Sequence, residues 1–241
     1  MSHPEIPNFL QLPTQALLDE FGAGHHKPGS GSAAALLGLV ACKMMQTVIT
    51  VSRRNPQYAG VMPQLDFVGS VLVQRNEPFF RDAVQRDSIQ FDRYHQAILA
   101  RRDCIDSAEK RRLNDRARQE LIPTTEIPLE IAQHALDTAE RGLIVYDLGA
   151  RYARGDSGVA VAAALSSCSG ALFIVYLNLL QLREGKWAAA TRITADTIAE
   201  RFQSLQIEQF RRVARIQQEG IDTPQLELQL ALVPQDEDEV V

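Results

Sequence analysis

A glycine- and serine-rich segment near the N-terminus is the first candidate for chemistry. It consists of Lys27, Pro28, Gly29, Ser30, Gly31 and Ser32, and it leads directly into an apolar, helix-forming stretch. Free backbone N–H groups and the dipole at a helix start favour an anion such as a carboxylate or phosphate, and Lys27 adds a positive charge. The spacing is not that of a Walker A loop. A structural alternative is that Ser30 or Ser32 caps the helix while Gly29 and Gly31 permit close packing.

One carboxylate, that of Asp156, is a candidate for proton transfer. Asp156 stands at the expected start of a long apolar helix, where Asp is also a favoured N-cap residue. A carboxylate at the mouth of a buried helix can have its protonation tuned by its surroundings and can hold a substrate nitrogen or move a proton. A second carboxylate, that of Asp87, lies on the same helical side as Phe91, which by itself is the pattern of an ordinary amphipathic turn.

Other ionisable groups carry weaker signals. His25 and His26 are adjacent in a loop with no nearby carboxylate in the sequence, so we expect solvent exposure, and no metal site is predicted. His134 suits either a general base or a histidine with satisfied hydrogen bonds. The stretch 101–118 holds seven basic and four acidic residues, which is typical of a solvated helix face but can also attract a polyanionic tail.

Helix-forming residues dominate the chain and strand signals are scarce, so we predict an all-α helical bundle. The segment 158–182 contains no Asp, Glu, Lys or Arg. It is long enough to span a bilayer, but its Ala- and Ser-rich first half favours a buried central helix instead. The predicted helices cover residues 13–21, 30–53, 63–99 with a kink at Pro78, and 107–121. Pro123 and Pro128 predict a break, after which an apolar stripe over 129–143 marks a new helix. Two further helices are predicted from Asp156 onward and over 187–219.

Composition matches an ordinary soluble globular protein, and the length permits one large or two small domains. We predict a single domain over residues 1–241, with an acidic tail at 235–241. The chain has 241 residues, 45% of them hydrophobic, and a formal net charge of −5. It therefore lacks the basic field on which nucleic-acid binding mostly depends, and we expect neither nucleic acid nor a membrane as partner. Three separated cysteines predict a reducing compartment, and the N-terminus shows no signal-peptide pattern, so we expect a cytoplasmic protein.

Five segments, taken in order, resemble the cyclodeaminase/cyclohydrolase family, which includes the cyclodeaminase domain of formiminotransferase-cyclodeaminase and the methenyltetrahydrofolate cyclohydrolases. The resemblance covers nearly the whole chain. Residues 28–35 resemble the family pattern P-G-G-G-S-A-A-A, and residues 87–91 resemble D-x-x-A-[FY]. Residues 127–132 resemble V-P-L-E-V-A, residues 155–160 resemble S-D-x-x-V-A, and residues 170–179 resemble G-A-x-x-N-V-x-x-N-L.

The resemblance implies a homodimeric all-α bundle that binds a folate near the glycine-rich turn and the start of the central helix. It implies a tetrahydrofolate derivative as substrate and no tightly bound cofactor. Asp156 and Asp87 would handle protons, the turn from Lys27 to Ser32 would bind the carboxylate end of the folate, and Asn178 would contact the substrate. The reaction would be either closure of 5-formiminotetrahydrofolate to the 5,10-methenyl form with loss of ammonia, or hydrolysis of that methenyl form.

Four positions depart from the family patterns. Ser30 replaces the middle glycine of the turn, and the other three changes each remove a side-chain hydrogen-bonding group, at Ala150, Gly155 and Ile174. Lost polar partners weaken recognition of a polar ligand. The sequence thus leaves two hypotheses open: a folate-dependent one-carbon enzyme, or a non-catalytic dimeric helical protein that retains the fold for ligand binding or interaction.

Overall fold

Seven helices make up most of the computed structural model, which describes residues 6–182 and 185–222. They are α1 (Thr14–Gly22), α2 (Ser30–Arg53), α3 (Met62–Val71), α4 (Glu77–Asp103), α5 (Ser107–Leu148), α6 (Arg154–Gln181) and α7 (Lys186–Asp222). No strand occurs within these two ranges. The predicted all-α bundle is confirmed, while the acidic tail predicted at 235–241 lies outside the described residues.

Helix α6 occupies the centre of the bundle and packs against α2, α5 and α7. It runs antiparallel to α2. Ser167 donates a hydrogen bond to the carbonyl of Ala34 near the start of α2, and the N–H of Ala150, just before α6, donates to Ser52 near the end of α2. Small side chains on the facing surfaces allow this close approach. The start of α6 therefore lies at the opposite end of α2 from the glycine-rich turn.

The central helix is not covered on all sides within one chain. By length and composition, both α2 and the segment 151–181 are apolar enough to cross a membrane. In each of the two, half of the most apolar stretch is buried inside the protein. Central helices of a bundle have the same composition. On α6, however, Phe173 is 70% and Leu180 76% exposed, so one apolar face has no partner among the described residues.

The break before α4 differs from the predicted kink. A π-helical turn over Leu72–Asn76 separates α3 from α4, and Pro78 lies in the first turn of α4. Proline is tolerated in a first turn because the N–H groups there lack intrahelical acceptors. The interruption therefore comes from the π-turn rather than from Pro78.

The prediction of a helix break at Pro123 and Pro128 is wrong, because α5 continues through both residues. Pro128 has no N–H with which to bond the carbonyl of Thr124, four residues earlier. The side-chain amide of Asn178 on α6 donates to that carbonyl at 3.1 Å. A contact from a neighbouring helix thus replaces the missing backbone hydrogen bond.

Candidate functional site

The carboxylate of Asp87, on α4, lies over the first turn of α2. The backbone N–H of Ser32 donates to Asp87 Oδ2 at 2.9 Å, and Ser32 Oγ lies 3.2 Å from the same oxygen. Ser32 Oγ also lies 2.7 Å from the carbonyl of Val84 and 2.8 Å from the hydroxyl of Ser88. Because a hydroxyl has one proton, Ser32 Oγ donates to only one acceptor at a time. The N–H of Ser32 is one of the donors that a helix start leaves without an intrahelical acceptor.

Because Gly31 has no side chain, the Asp87 carboxylate can approach the first turn of α2 closely. A Cβ atom built on Gly31 would overlap the carboxylate of Asp87. The helix begins with Gly29 at the N-cap position and no side-chain cap, so neither Ser30 nor Ser32 caps the helix in the way that the structural alternative predicted. The glycine-rich turn and Asp87 form one unit, although 55 residues separate Ser32 from Asp87 in the chain.

Asp87 is only 7% exposed. Burial disfavours its ionised form, and although the hydrogen bonds from Ser32 partly oppose this, the pKa rises from 3.8 to about 6. A carboxyl group with a pKa near neutrality exists in both protonation states under cellular conditions. Such a group can accept a proton at one step and return it at the next.

A second polar cluster lies where the turn meets α4. His26 Nε2 lies 2.6 Å from Asp92 Oδ1, and Lys27 Nζ donates to the same oxygen at 3.0 Å. The ring of His26 also stacks on His95, with centroids 4.3 Å apart. Burial opposes ionisation of Asp92, but the hydrogen bonds from His26 and Lys27 outweigh it and lower the pKa of Asp92. His26 therefore has the carboxylate partner that its sequence neighbourhood lacks, and Lys27 is already paired with an anion.

Asp156 lies away from this unit. It is exposed in the first turn of α6, where the preceding N-cap position belongs to Ala153. Eleven residues of α6, about 16 Å of helix rise, separate it from Ser167, which marks the level of the turn. The structure of one chain therefore does not bring Asp156 and Asp87 together. A negative charge in the first turn of a helix also stabilises that helix through a favourable interaction with its dipole.

Two remaining candidate residues, Asn178 and His134, are placed as follows. Asn178 is 8% exposed, with its amide on the Thr124 carbonyl, so it connects α6 to α5. His134 stacks on Phe79 with centroids 3.8 Å apart, and burial lowers its pKa. Within residues 6–182 and 185–222, no three His, Cys, Asp or Glu side chains converge as metal ligands.

Sequence reasoning named Asp87 and the turn separately but could not show their contact. It missed Asp92 as the partner of His26, since nothing in the local sequence links them. The departures at Ala150 and Gly155 lie at the Asp156 end of α6, and Ile174 is half-buried one turn before Asn178. Ala150 and Gly155 therefore leave the surroundings of Asp87 in the same chain unchanged.

Comparison with known proteins agrees with this architecture. The model of the formiminotransferase-cyclodeaminase family matches residues 13–197. No curated protein sequence matches significantly. Among solved structures, the formiminotetrahydrofolate cyclodeaminase of Thermotoga maritima is similar with a TM-score of 0.74. The similarity covers 86% of this chain and 98% of that chain at 14% sequence identity, which establishes a shared fold.

Proposed function

Since the chain belongs to the formiminotransferase-cyclodeaminase family, we propose that it closes 5-formiminotetrahydrofolate to 5,10-methenyltetrahydrofolate with release of ammonia. The observation that supports this reaction most directly is the buried carboxyl of Asp87, whose pKa of about 6 suits a group that both accepts and donates a proton. Family membership supports folate one-carbon chemistry in general. The choice of cyclodeamination rests on the proton balance of the reaction.

In this reaction N10 of the folate attacks the protonated formimino carbon on N5, and a C–N10 bond forms. The bond from that carbon to its terminal nitrogen then breaks, which leaves the methenyl cation. One proton moves from N10 to the departing nitrogen, which leaves as ammonia, so no net proton is gained or lost. The ionised Asp87 carboxylate takes the proton from N10, and the resulting carboxylic acid gives it to the leaving nitrogen. One positioned carboxyl group is enough for both transfers.

Hydrolysis of 5,10-methenyltetrahydrofolate requires a different proton transfer at the site. Water adds to the methenyl carbon, and the reaction releases a proton that must leave the protein. Asp87 is almost completely buried, so it has little contact with the water that would carry this proton away. The enclosed position of Asp87 thus favours transfer between two substrate nitrogens over export of a proton.

The test is an absorbance assay for the methenyl chromophore with 5-formiminotetrahydrofolate and, separately, with 5,10-methenyltetrahydrofolate. We expect methenyl formation from the first substrate and no loss of the second above its spontaneous rate. Asp156→Asn is the matched control, because Asp156 lies far from Asp87, and it should keep wild-type turnover. Calorimetric binding of tetrahydrofolate without turnover of either substrate would instead support the non-catalytic binding protein.

We also propose that the chain forms a homodimer through the exposed apolar faces of its central helices. Leu37 and Val40 on α2 are exposed, and so are Phe173, Leu177 and Leu180 on α6. Apolar surface of this kind marks an interaction site in soluble proteins. A second copy is the occupant that the family resemblance implies.

A further inference from the structure

A groove with a volume of about 680 Å³ lies between α4 and the first half of α5. It is strongly cationic. Four basic side chains line it, namely Arg101, Lys110, Arg111 and Arg118, against a single carboxylate, that of Asp115. The groove therefore presents a net positive charge on a protein whose overall charge is −5.

None of these four cations forms an ion pair within residues 6–182 and 185–222. Their neighbours differ: Arg102 pairs with Asp103, and Arg112 pairs with Glu109. A cation without a carboxylate partner beside an open groove is free to bind an anion from solution, and charge-assisted hydrogen bonds of this kind are the stronger ones. The charge pattern thus favours a ligand with several carboxylate or phosphate oxygens.

The groove continues the face of α4 that carries Asp87. Asp87, Tyr94 and Arg101 follow one another at intervals of seven residues, so they lie on one side of the helix. Tyr94 lies about 10 Å along the axis from Asp87, and Arg101 about 20 Å. The hydroxyl of Tyr94 donates to Gln181 at 2.8 Å, which closes one side of the groove against the end of α6. The groove therefore begins about 10 Å along α4 from Asp87, a separation that an elongated molecule can span.

We propose that this groove binds the glutamate carboxylates of the folate, with the one-carbon unit at Asp87. This assignment rests on the proposed function. It replaces the expectation that the turn from Lys27 to Ser32 binds the carboxylate end, because Lys27 is paired with Asp92 at 3.0 Å, whereas the groove cations are unpaired. The turn then serves the reacting end of the substrate, and the groove serves the anionic end.

The test compares two double variants on the same helix. Lys110→Gln with Arg111→Gln removes two groove charges. Arg112→Gln with Arg116→Gln removes the same charge from α5 at positions that do not line the groove. By calorimetry, the groove variant should bind tetrahydrofolate about tenfold or more weakly, whereas the control keeps wild-type affinity. Tetrahydropteroate, which lacks the glutamate, should bind all three proteins equally. In the turnover assay, the groove variant should show a raised KM and an unchanged kcat.

Several results would overturn the assignment. Equal tetrahydrofolate affinity in both double variants would place the carboxylates elsewhere while leaving the proposed function intact. An equal loss for tetrahydrofolate and tetrahydropteroate would show a general effect of charge. Binding of single-stranded DNA that the groove variant loses, with folate affinity unchanged, would assign the groove to nucleic acid. A wild-type protein that binds no tetrahydrofolate would refute the proposed function itself, and the groove assignment with it.

Discussion

Asp87 performs a structural task as well as the proposed chemical one. It accepts the N–H of Ser32 at 2.9 Å, a donor that the first turn of α2 cannot satisfy internally. The same burial that makes the contact also keeps the carboxyl partly protonated near neutral pH. A useful substitution must therefore keep the acceptor and remove only the exchangeable proton. Asparagine meets this requirement because its side-chain oxygen can still accept the N–H.

The raised pKa of Asp87 predicts a pH dependence of stability. Between the unfolded value of 3.8 and the folded value of about 6, the native protein retains a proton that the unfolded chain has released. The contribution of Asp87 to the free energy of unfolding therefore falls as the pH rises through this window, by about 3 kcal/mol in all, and the loss becomes complete as the pH rises past the folded pKa of about 6.

Urea unfolding of the wild type and of Asp87→Asn at a series of pH values from 3.5 to 7 measures this contribution. Glu77 and Asp92, whose pKa values are lowered, contribute the opposite slope in both proteins and cancel in the difference. The stability of the wild type relative to the variant should fall as the pH rises. A difference that does not change with pH would contradict a raised pKa at Asp87.

Among the helices, the start of α2 depends on Gly31. In Gly31→Ala the added methyl group overlaps the Asp87 carboxylate, which must move and lose its contact with Ser32. We expect a loss of about 1–3 kcal/mol in stability together with a large loss of turnover. Gly158→Ala on α6 is the matched control, because a Cβ there meets nothing within 4 Å. Wild-type stability and turnover in Gly31→Ala would show that Asp87 does not depend on this close approach.

The passage of α5 through Pro128 depends on Asn178. Asn178→Ala leaves the carbonyl of Thr124 without its donor in a buried position, so the free energy of unfolding should fall by about 1–3 kcal/mol. The exposed Ser166→Ala on the same helix should change stability little. If Asn178→Ala unfolds like the wild type but loses folate affinity, the substrate contact predicted from the resemblance is the correct role instead.

These two helices show what the sequence could and could not predict. The start of α2 at Ser30 was predictable because Pro, Gly and Ser precede an apolar run. The continuity of α5 was not, since its two prolines signal a break and the compensating amide comes from a residue 54 positions away. Asp87 was predicted as a site residue through the family resemblance, because its local pattern is that of an ordinary amphipathic turn. Only the packing of α4 on α2 reveals its contact with the turn. Asp156 had the stronger local signal, at the start of an apolar helix, but the antiparallel arrangement of α2 and α6 separates it from that turn.

For the molecule as a whole, the exposed apolar face of α6 predicts self-association. In detergent-free buffer, light scattering should give a mass about twice the 26.8 kDa of one chain. Introducing charge with Phe173→Glu and Leu180→Glu should give a monomer, because buried unpaired charges disfavour an apolar interface. Ile105→Glu, at a fully exposed position between α4 and α5, should leave the dimer intact. A wild-type monomer, or a protein that dissolves only with detergent, would contradict this proposal.

The most direct measurement of the central claim is the turnover of 5-formiminotetrahydrofolate by Asp87→Asn, followed by absorbance of the methenyl product. The variant keeps an acceptor for Ser32 N–H but cannot carry a proton, so kcat should fall by about 10²–10⁴. Its affinity for tetrahydrofolate and its melting temperature at pH 7 should not fall. If Asp87→Asn turns over 5-formiminotetrahydrofolate at the wild-type rate, the carboxyl of Asp87 is a structural cap of α2 and not the proton carrier.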